Sequence, residues 1–260
     1  TPECFIETFL IALHKKNDKK DPGNYRFLHM RMDLSRVYEL LVYLKLENHF
    51  DQHTAESQMG GRKDGDTVEH LAMLTSILKA KEQEENAGVQ FLMVDSVKCF
   101  DRSWLSDNHA ILQMEGADRK ALKTMYRLQK KNVINVAGSK EKFVIDDGVG
   151  QGSVGGARIT TSAITECTER HLDRLDKGAA LKHRNQTISQ QGFVDDVILI
   201  AMIAVAARAC ALLYSDALRE LAMSAHPVKS VQILAGKPEW VQNFKREMEK
   251  EPCKLQGFEV

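Results

Sequence analysis

The sequence predicts a mixed α+β fold, and three observations carry that reading. From residue 89 onward, apolar runs of strand length alternate with stretches of helical spacing, so strands and helices interleave along the chain. Two of those runs border carboxylates: Asp95 follows Val89-Gln-Phe-Leu-Met-Val94, and Asp195-Asp196 stand before Val197-Ile-Leu-Ile200. The chain has 260 residues, 43% of them hydrophobic, and 5 prolines, which is enough for a sizeable core and too apolar for a disordered chain.

Residues 17–24 and 60–66 are charged, turn-rich stretches and read as loops. Between them Leu34, Val37, Leu40, Leu41, Leu44 and Leu46 recur near helical spacing, which predicts a helix over 33–50, and the pattern returns over 68–85. Residues 89–94 read as a buried strand with a carboxylate at its C-terminal end. A helical stretch over 105–131 should break near Gly116. Residues 133–136 and 143–147, separated by a polar stretch around Gly138-Ser-Lys140, suggest a hairpin. A helix is expected over 157–175. Then Thr187-Ile-Ser189 and Val197-Ile-Leu-Ile200 flank Gln191-Gly-Phe-Val-Asp-Asp196 in an apolar–turn–apolar arrangement. A helix near 204–223, a strand near 231–234, a helix near 240–250 and the start of a last strand complete the pattern.

Basic and acidic residues balance at 36 each, so net charge points to no nucleic-acid or membrane partner. Five scattered cysteines form no C-x-x-C pair, which fits a reducing, intracellular compartment better than a disulfide framework or zinc site. The longest apolar run, 197–207, is too short to span a bilayer, so no membrane partner is expected. No secretory-type leader opens the sequence. It begins on Thr1-Pro2 and closes on Phe258-Glu-Val260 in mid-pattern, so a segment of something longer is expected.

The chemistry lies in the carboxylates. Adjacent aspartates repel and raise one another's pKa unless a cation neutralises them. Magnesium is bound by a few carboxylates plus substrate phosphates, and two such ions about 3.5–4 Å apart serve in-line displacement at phosphorus. Taken alone, Asp195-Asp196 reads first as a polar hairpin turn and Asp95 as a helix N-cap, and the pair by itself points weakly to metal chemistry.

The surroundings decide. Phe193-Val-Asp-Asp196 resembles the F-x-D-D hairpin of reverse transcriptases, and Asp95-Ser-Val-Lys-Cys-Phe-Asp101 resembles that family's first palm motif. Gly148-Val-Gly-Gln-Gly-Ser153 is similar to its G-V-x-Q-G segment. Lys15-Lys-Asn-Asp-Lys19 and Asp21-Pro-Gly-Asn-Tyr-Arg26 resemble the fingers motif, and Gln58-Met-Gly-Gly-Arg62 resembles Q-x-G-F-R. Residues 223–230 end in Pro227-Val-Lys-Ser230, like the later K-T/K-S segment. The matches keep the family's order, in a style closest to non-LTR retrotransposons.

The resemblance implies a right-hand polymerase: fingers over 1–88, mostly helical, and palm over 89–260. The palm is expected as a ferredoxin-like antiparallel sheet with helices on one face. Asp95 and Asp195 would hold two magnesium ions, with manganese an alternative, aided by the backbone carbonyl of Ser96, while Asp196 shapes the charge. Phe100 would sit beneath the nucleotide sugar and exclude a 2′-hydroxyl. Gln151 and Gly152 would lie against the incoming nucleotide; Lys15, Lys16 and Arg26 would contact its triphosphate, and Lys229 the pyrophosphate. Arg62 is a template contact by the same resemblance, and Asp101 a structural cap for the helix that contains Trp104. The implied partners are an RNA template, a DNA primer or target, deoxynucleotides and the rest of a polyprotein. That remainder would carry a thumb beyond residue 260, with an endonuclease as an optional further part, and the final work would fall on nuclear DNA.

This sequence departs from the family pattern in places. Tyr25-Arg-Phe-Leu28 lacks the motif's proline, Gly61 replaces its phenylalanine, and Gln151-Gly-Ser-Val-Gly-Gly-Ala157 lacks a serine and a proline. The last change predicts a looser nucleotide-facing wall beside Gly155-Gly156. Two other readings are a scaffold that grips RNA without chemistry, which would not need the aspartates, and an RNA-templated RNA polymerase, which Phe100 opposes.

Overall fold

A hairpin that periodicity alone does not announce comes first: β1 (Glu7–His14) pairs antiparallel with β2 (Tyr25–Arg31), Thr8 opposite Arg31 and His14 opposite Tyr25. The computed structural model describes residues 5–62, 65–130, 132–136, 141–145, 148–175, 181–183 and 186–259. In the expected loop between these strands, the Asp21 carboxylate accepts a hydrogen bond from the Gly23 N–H (2.8 Å) and caps a single 3-10 turn.

The predicted helices follow as α1 (Asp33–His53) and α2 (Thr67–Gln83), the latter capped by Asp66, which accepts from the Glu69 N–H at 2.7 Å. After β3 (Gly88–Val94) and the one-turn α3 (Cys99–Arg102), α4 (Leu105–Met114) and α5 (Arg119–Gln129) are separated at Gly116, whose φ of 91° ends the first of them. Asp101 lies inside α3, and α4 has Trp104 at its N-cap with no side-chain hydrogen bond, so the capping role expected of Asp101 is corrected. β4 (Asn132–Val136) and β5 (Lys142–Ile145) form the expected hairpin; its tip at 137–140, and 146–147, lie outside the described residues.

Next come α6 (Gly156–Leu172), the ribbon of β6 (Leu181–His183) and β7 (Gln186–Ile188), then β8 (Gln190–Phe193) and β9 (Asp196–Ala201). Residues 187–188 thus pair back with 181–182, and β9 takes its neighbour from 190–193. The chain closes with α7 (Ala204–Glu220), β10 (Val231–Gly236), α8 (Pro238–Lys250) and a ribbon of β11 (Lys254–Leu255) and β12 (Phe258–Glu259). Among the described residues no helix is long and apolar enough to cross a membrane.

These elements group into two compact units, each assembled from two stretches of chain: Thr1–His53 with Phe100–Ala163, and Thr54–Cys99 with Ile164–Val260. In the first, the sheet order is β2-β1-β4-β5, with β1 and β4 parallel. Helix α1 buries Val42, Leu46 and Phe50 against Leu112, Leu122, Met125 and Ile159. Its buried face also carries Ser35 and Glu39, whereas Leu34, Val37, Leu41 and Leu44 are exposed. The spacing locates the helix and misassigns its face. Glu39 can be buried because it meets Arg31 (3.4 Å) and accepts from the Ser153 hydroxyl, while Arg31 also donates to Asn132 Oδ1 (2.9 Å) and Gln129 donates to Ser153 Oγ (3.0 Å).

The Gly155-Gly156 segment is not slack. A Cβ on Gly155 would lie 3.0 Å from the Tyr43 ring, and one on Gly156 would lie 2.4 Å from Val149 Cγ1. The missing side chains let the loop pack closely, contrary to the looser wall expected from the lost proline.

His109, buried on α4, sits 3.3 Å from Gln129 Oε1, and burial pushes its pKa down to about 4. The imidazole is therefore neutral in the folded protein below the pH at which an unfolded one gains its proton. Stability is intact above about pH 6.5 and falls as pH drops toward 4, by up to about 3 kcal/mol from this residue. Thermal melts at pH 7 and 4.5 should show a smaller shift in His109→Gln than in the parent protein.

In the second unit the sheet order is β10-β3-β9-β8, antiparallel throughout. Alternation sends Phe91, Ile198 and Ile200 toward Ile77 on α2, while Ala201 and Leu234 on the other face meet Ala204 and Ala207 of α7 and Phe244 of α8. Helices thus cover both faces, where the sequence predicts one. The reason is visible in β3, whose run is apolar on both faces, as a strand buried on two sides requires.

Candidate active site

Strand pairing, not sequence proximity, assembles the carboxylates. β3 and β9 place Val94 opposite Val197, so one further step of the same register sets Asp95 beside Asp196. β8 and β9 are joined by the two-residue turn Val194-Asp195, with Phe193 opposite Asp196. β3 ends where its continuous apolar run gives way to Asp95, and β9 opens on Asp196 before its own apolar run begins. Burial first, then Asp195, then Asp95 raise the pKa of Asp196, and Lys229 opposes them. The Lys229 ammonium lies 3.0 Å from Asp95 Oδ2, an ion pair without a well-aligned hydrogen bond.

Ser96 forms an isolated antiparallel bridge with Ala225. The flanking bonds run from the Val97 N–H to the Ser224 carbonyl (2.8 Å) and from the His226 N–H to the Asp95 carbonyl (2.7 Å). In such a non-hydrogen-bonded pair the residue's own carbonyl turns away from the neighbouring segment. The Asp95 carbonyl is engaged instead.

The turn itself is strained. Val194 has φ of 61°, a left-handed conformation that costs a β-branched residue about 1–3 kcal/mol. Its surroundings hold it. His70 of α2 stacks on Phe193 with centroids 6.1 Å apart. Residues 57–60 run beside β8: the Gly192 N–H donates to the Ser57 carbonyl and the Met59 N–H to the Gly192 carbonyl, both at 2.8 Å. Tyr214 on α7 is fully buried, and burial, then Cys99, Asp195 and Asp196, push its hydroxyl's pKa strongly upward. Next to residues 57–60 a cavity of about 650 Å³ is lined by Met59, Arg62, Glu169 and Gln190, and burial raises the Glu169 pKa although it accepts from the Ser57 hydroxyl at 2.5 Å.

Asp95, Ser96, Asp195, Asp196 and Lys229 are therefore brought together in the second unit. Arg62 also lies in the second unit, beside the cavity next to residues 57–60, and the remaining sequence-predicted residues fall in the first. There the His29 N–H on β2 donates to the Gln151 carbonyl (2.7 Å), and a Cβ on Gly152 would lie 2.7 Å from the His29 carbonyl oxygen. The Val149 N–H donates to the carbonyl of Phe100, whose ring is half-buried (2.8 Å). Arg26 shares β2 with His29 but projects from the opposite face. Lys15 and Lys16 are exposed where the β1–β2 hairpin closes.

The carboxylate cluster suits a hard divalent cation: its donors are all oxygens, and Lys229 opposes the repulsion that Asp195 and Asp95 exert on Asp196. A second group, Cys167, His171 and Glu220, is less suited, because the Arg170 guanidinium already donates to both Cys167 and Glu220.

The sequence model of one family, "Reverse transcriptase (RNA-dependent DNA polymerase)", matches residues 14–260. The chain belongs to the reverse transcriptase family. No curated protein matches it. Among solved structures, this reverse transcriptase resembles apo telomerase from Candida tropicalis truncated from its C-terminal domain, with TM-score 0.59 and 14% identity over 91% of this chain and 51% of the other. It also resembles two telomerases in complex with a TWJ fragment of telomeric RNA. The one from Candida tropicalis gives TM-score 0.63 and 10% identity over 88% of this chain and 41% of the other. The one from Candida albicans gives TM-score 0.63 and 13% identity over 90% and 43%. These likenesses concern the fold, and the reverse transcriptase chain spans about half, or less, of each structure's length.

Proposed function

We propose that this reverse transcriptase extends a primer 3′-hydroxyl with deoxynucleotides along an RNA template, as part of a non-LTR type of retrotransposon. The observation that carries the proposal is the convergence of Asp95, Asp195 and Asp196 at one end of an antiparallel sheet. Along the chain, residues 1–88 serve as fingers and 89–260 as palm, and the compact units cut across that division.

Asp95, Asp195 and the Ser96 carbonyl would hold two magnesium ions, and Asp196 would add negative charge beside them. Bound there, the ions would activate the primer hydroxyl and neutralise charge on the triphosphate and pyrophosphate. The protein's remaining work is positioning. Lys15, Lys16 and Arg26 grip the triphosphate. Gln151 and Gly152 form the nucleotide-facing wall, fixed to β2 through His29. Lys229, paired with Asp95, gives a proton to the departing pyrophosphate. Arg62 contacts the template strand. RNA template, DNA primer, deoxynucleotides and the remainder of a longer intracellular polyprotein, acting in cytoplasm and nucleus, are the partners this reading requires.

The test is primer extension on an RNA template with magnesium. Deoxynucleotide extension supports the proposal; retained RNA binding with no extension under any divalent ion would move the assignment to an RNA-gripping scaffold. Replacing Phe100 with Val should raise relative ribonucleotide incorporation on the order of 10–100-fold by opening space for the 2′-hydroxyl. Unchanged ribonucleotide incorporation would remove Phe100 from the sugar pocket.

A further inference from the structure

Gln58 is 1% exposed and lies in the segment that runs beside β8. Its side-chain oxygen accepts from the Val194 N–H (3.0 Å) and the Gly60 N–H (2.9 Å). Its amide nitrogen donates to the Val194 carbonyl (3.1 Å) and the Thr165 hydroxyl (3.1 Å). A carboxamide offers two donors and two acceptor sites, and here each is used. Both backbone polar groups of one residue, Val194, are held by this single side chain.

Val194 is the strained residue of the turn, immediately before Asp195. The β8–β9 ladder stops at Phe193 and Asp196, so it cannot hold the backbone of the turn between them. Strained conformations persist where their surroundings over-determine them, and Gln58 supplies that determination. The approach is close enough that Gly60 must lack a side chain: a Cβ there would lie 2.3 Å from the Val194 nitrogen.

We propose that Gln58 is a positioning residue for the metal-binding aspartates, acting through Val194 to aim Asp195 and Asp196; this rests on the polymerase reading above. Gln58 itself touches no reacting group. It sets the peptide planes from which the two carboxylates project, as outer partners do for metal ligands generally.

The test is Mn²⁺ titration of the purified protein, followed by electron paramagnetic resonance, alongside single-turnover primer extension. Gln58→Ala should weaken Mn²⁺ binding by roughly 10–100-fold and slow nucleotide addition while leaving affinity for the RNA–DNA duplex unchanged. Adding Val194→Gly to that variant should recover much of the lost Mn²⁺ affinity, because glycine takes a positive φ without strain. Gln58→Glu, which keeps the acceptor oxygens but lacks the N–H donors, should fall between, and it serves as the probe if Gln58→Ala does not fold by circular dichroism. Mn²⁺ affinity unchanged in a folded Gln58 variant would overturn the proposal alone. So would a Val194→Gly change that deepens the loss, which would mark Gln58 as merely structural. A parent protein that binds no Mn²⁺ would overturn the polymerase reading and this proposal with it.

Discussion

Asp195→Asn should abolish primer extension to within about one part in a thousand of the parent rate, while the protein remains folded and still binds RNA–DNA duplex. The substitution keeps size and shape and removes one charge, so its effect isolates the carboxylate. That carboxylate sits in a two-residue turn and, with Asp196 and Asp95, forms one cluster of negative charge. Loss of a metal-binding carboxylate removes several kcal/mol of transition-state stabilisation, and about 4 kcal/mol corresponds to roughly a thousandfold in rate. Because Asp195 is the largest charged influence raising the Asp196 pKa, the variant should also return Asp196 toward the ordinary carboxylate range. Single-turnover extension with magnesium measures the first effect and carboxyl NMR titration the second. A variant with near-parental extension would remove Asp195 from the chemistry.

The second large effect concerns stability. Glu39→Ala should destabilise the protein by about 3–5 kcal/mol, because it leaves a charge buried without its partner. Glu39 is fully buried and the Arg31 side chain is 5% exposed, so water cannot replace the lost carboxylate. Burial already lowers the Arg31 pKa, with Glu39 the charge that opposes it. A melting point lower by roughly 10 °C in calorimetry is the expected reading for a chain of this size. Ser153 and Gln129 lose their shared acceptor in the same variant, so the wall containing Gln151 should loosen and the KM for deoxynucleotides rise. Replacing both charges, Arg31→Met with Glu39→Leu, should recover most of the stability, since paired apolar substitutes avoid the desolvation cost.

These two cases mark what can be read in a sequence. The candidate carboxylates were legible through the resemblance of the motifs around them; an apolar run closed by Asp95 and a turn before Val197-Ile-Leu-Ile200 read, taken alone, as ordinary local structure. The Arg31–Glu39 pair was not. Leucine spacing locates α1, yet Leu34, Val37 and Leu41 face water while Ser35 and Glu39 face inward, where Glu39 meets Arg31 at the end of the unpredicted strand β2. β1 is not marked as clearly as β3: its apolar run Phe9-Leu-Ile-Ala-Leu13 has no carboxylate closing it, and its partner β2 follows a loop whose charges dominate the local texture. Gln58 stands in the Gln58-Met-Gly-Gly-Arg62 motif, but the contact it makes depends on the backbone angle of Val194, which no side-chain pattern reports.

The threading of the chain has a consequence for biosynthesis. β3 is complete by residue 94, yet its partner β9 runs to Ala201, and the intervening residues mostly build the other unit. On a ribosome adding roughly 5–20 residues per second, the nascent β3 waits about 5–20 s before its neighbour exists. Throughout that interval Phe91 and Leu92 offer an apolar, unpaired edge to any other strand. Nascent chains of this protein should therefore depend on holding chaperones, and faster elongation should improve the yield of folded product.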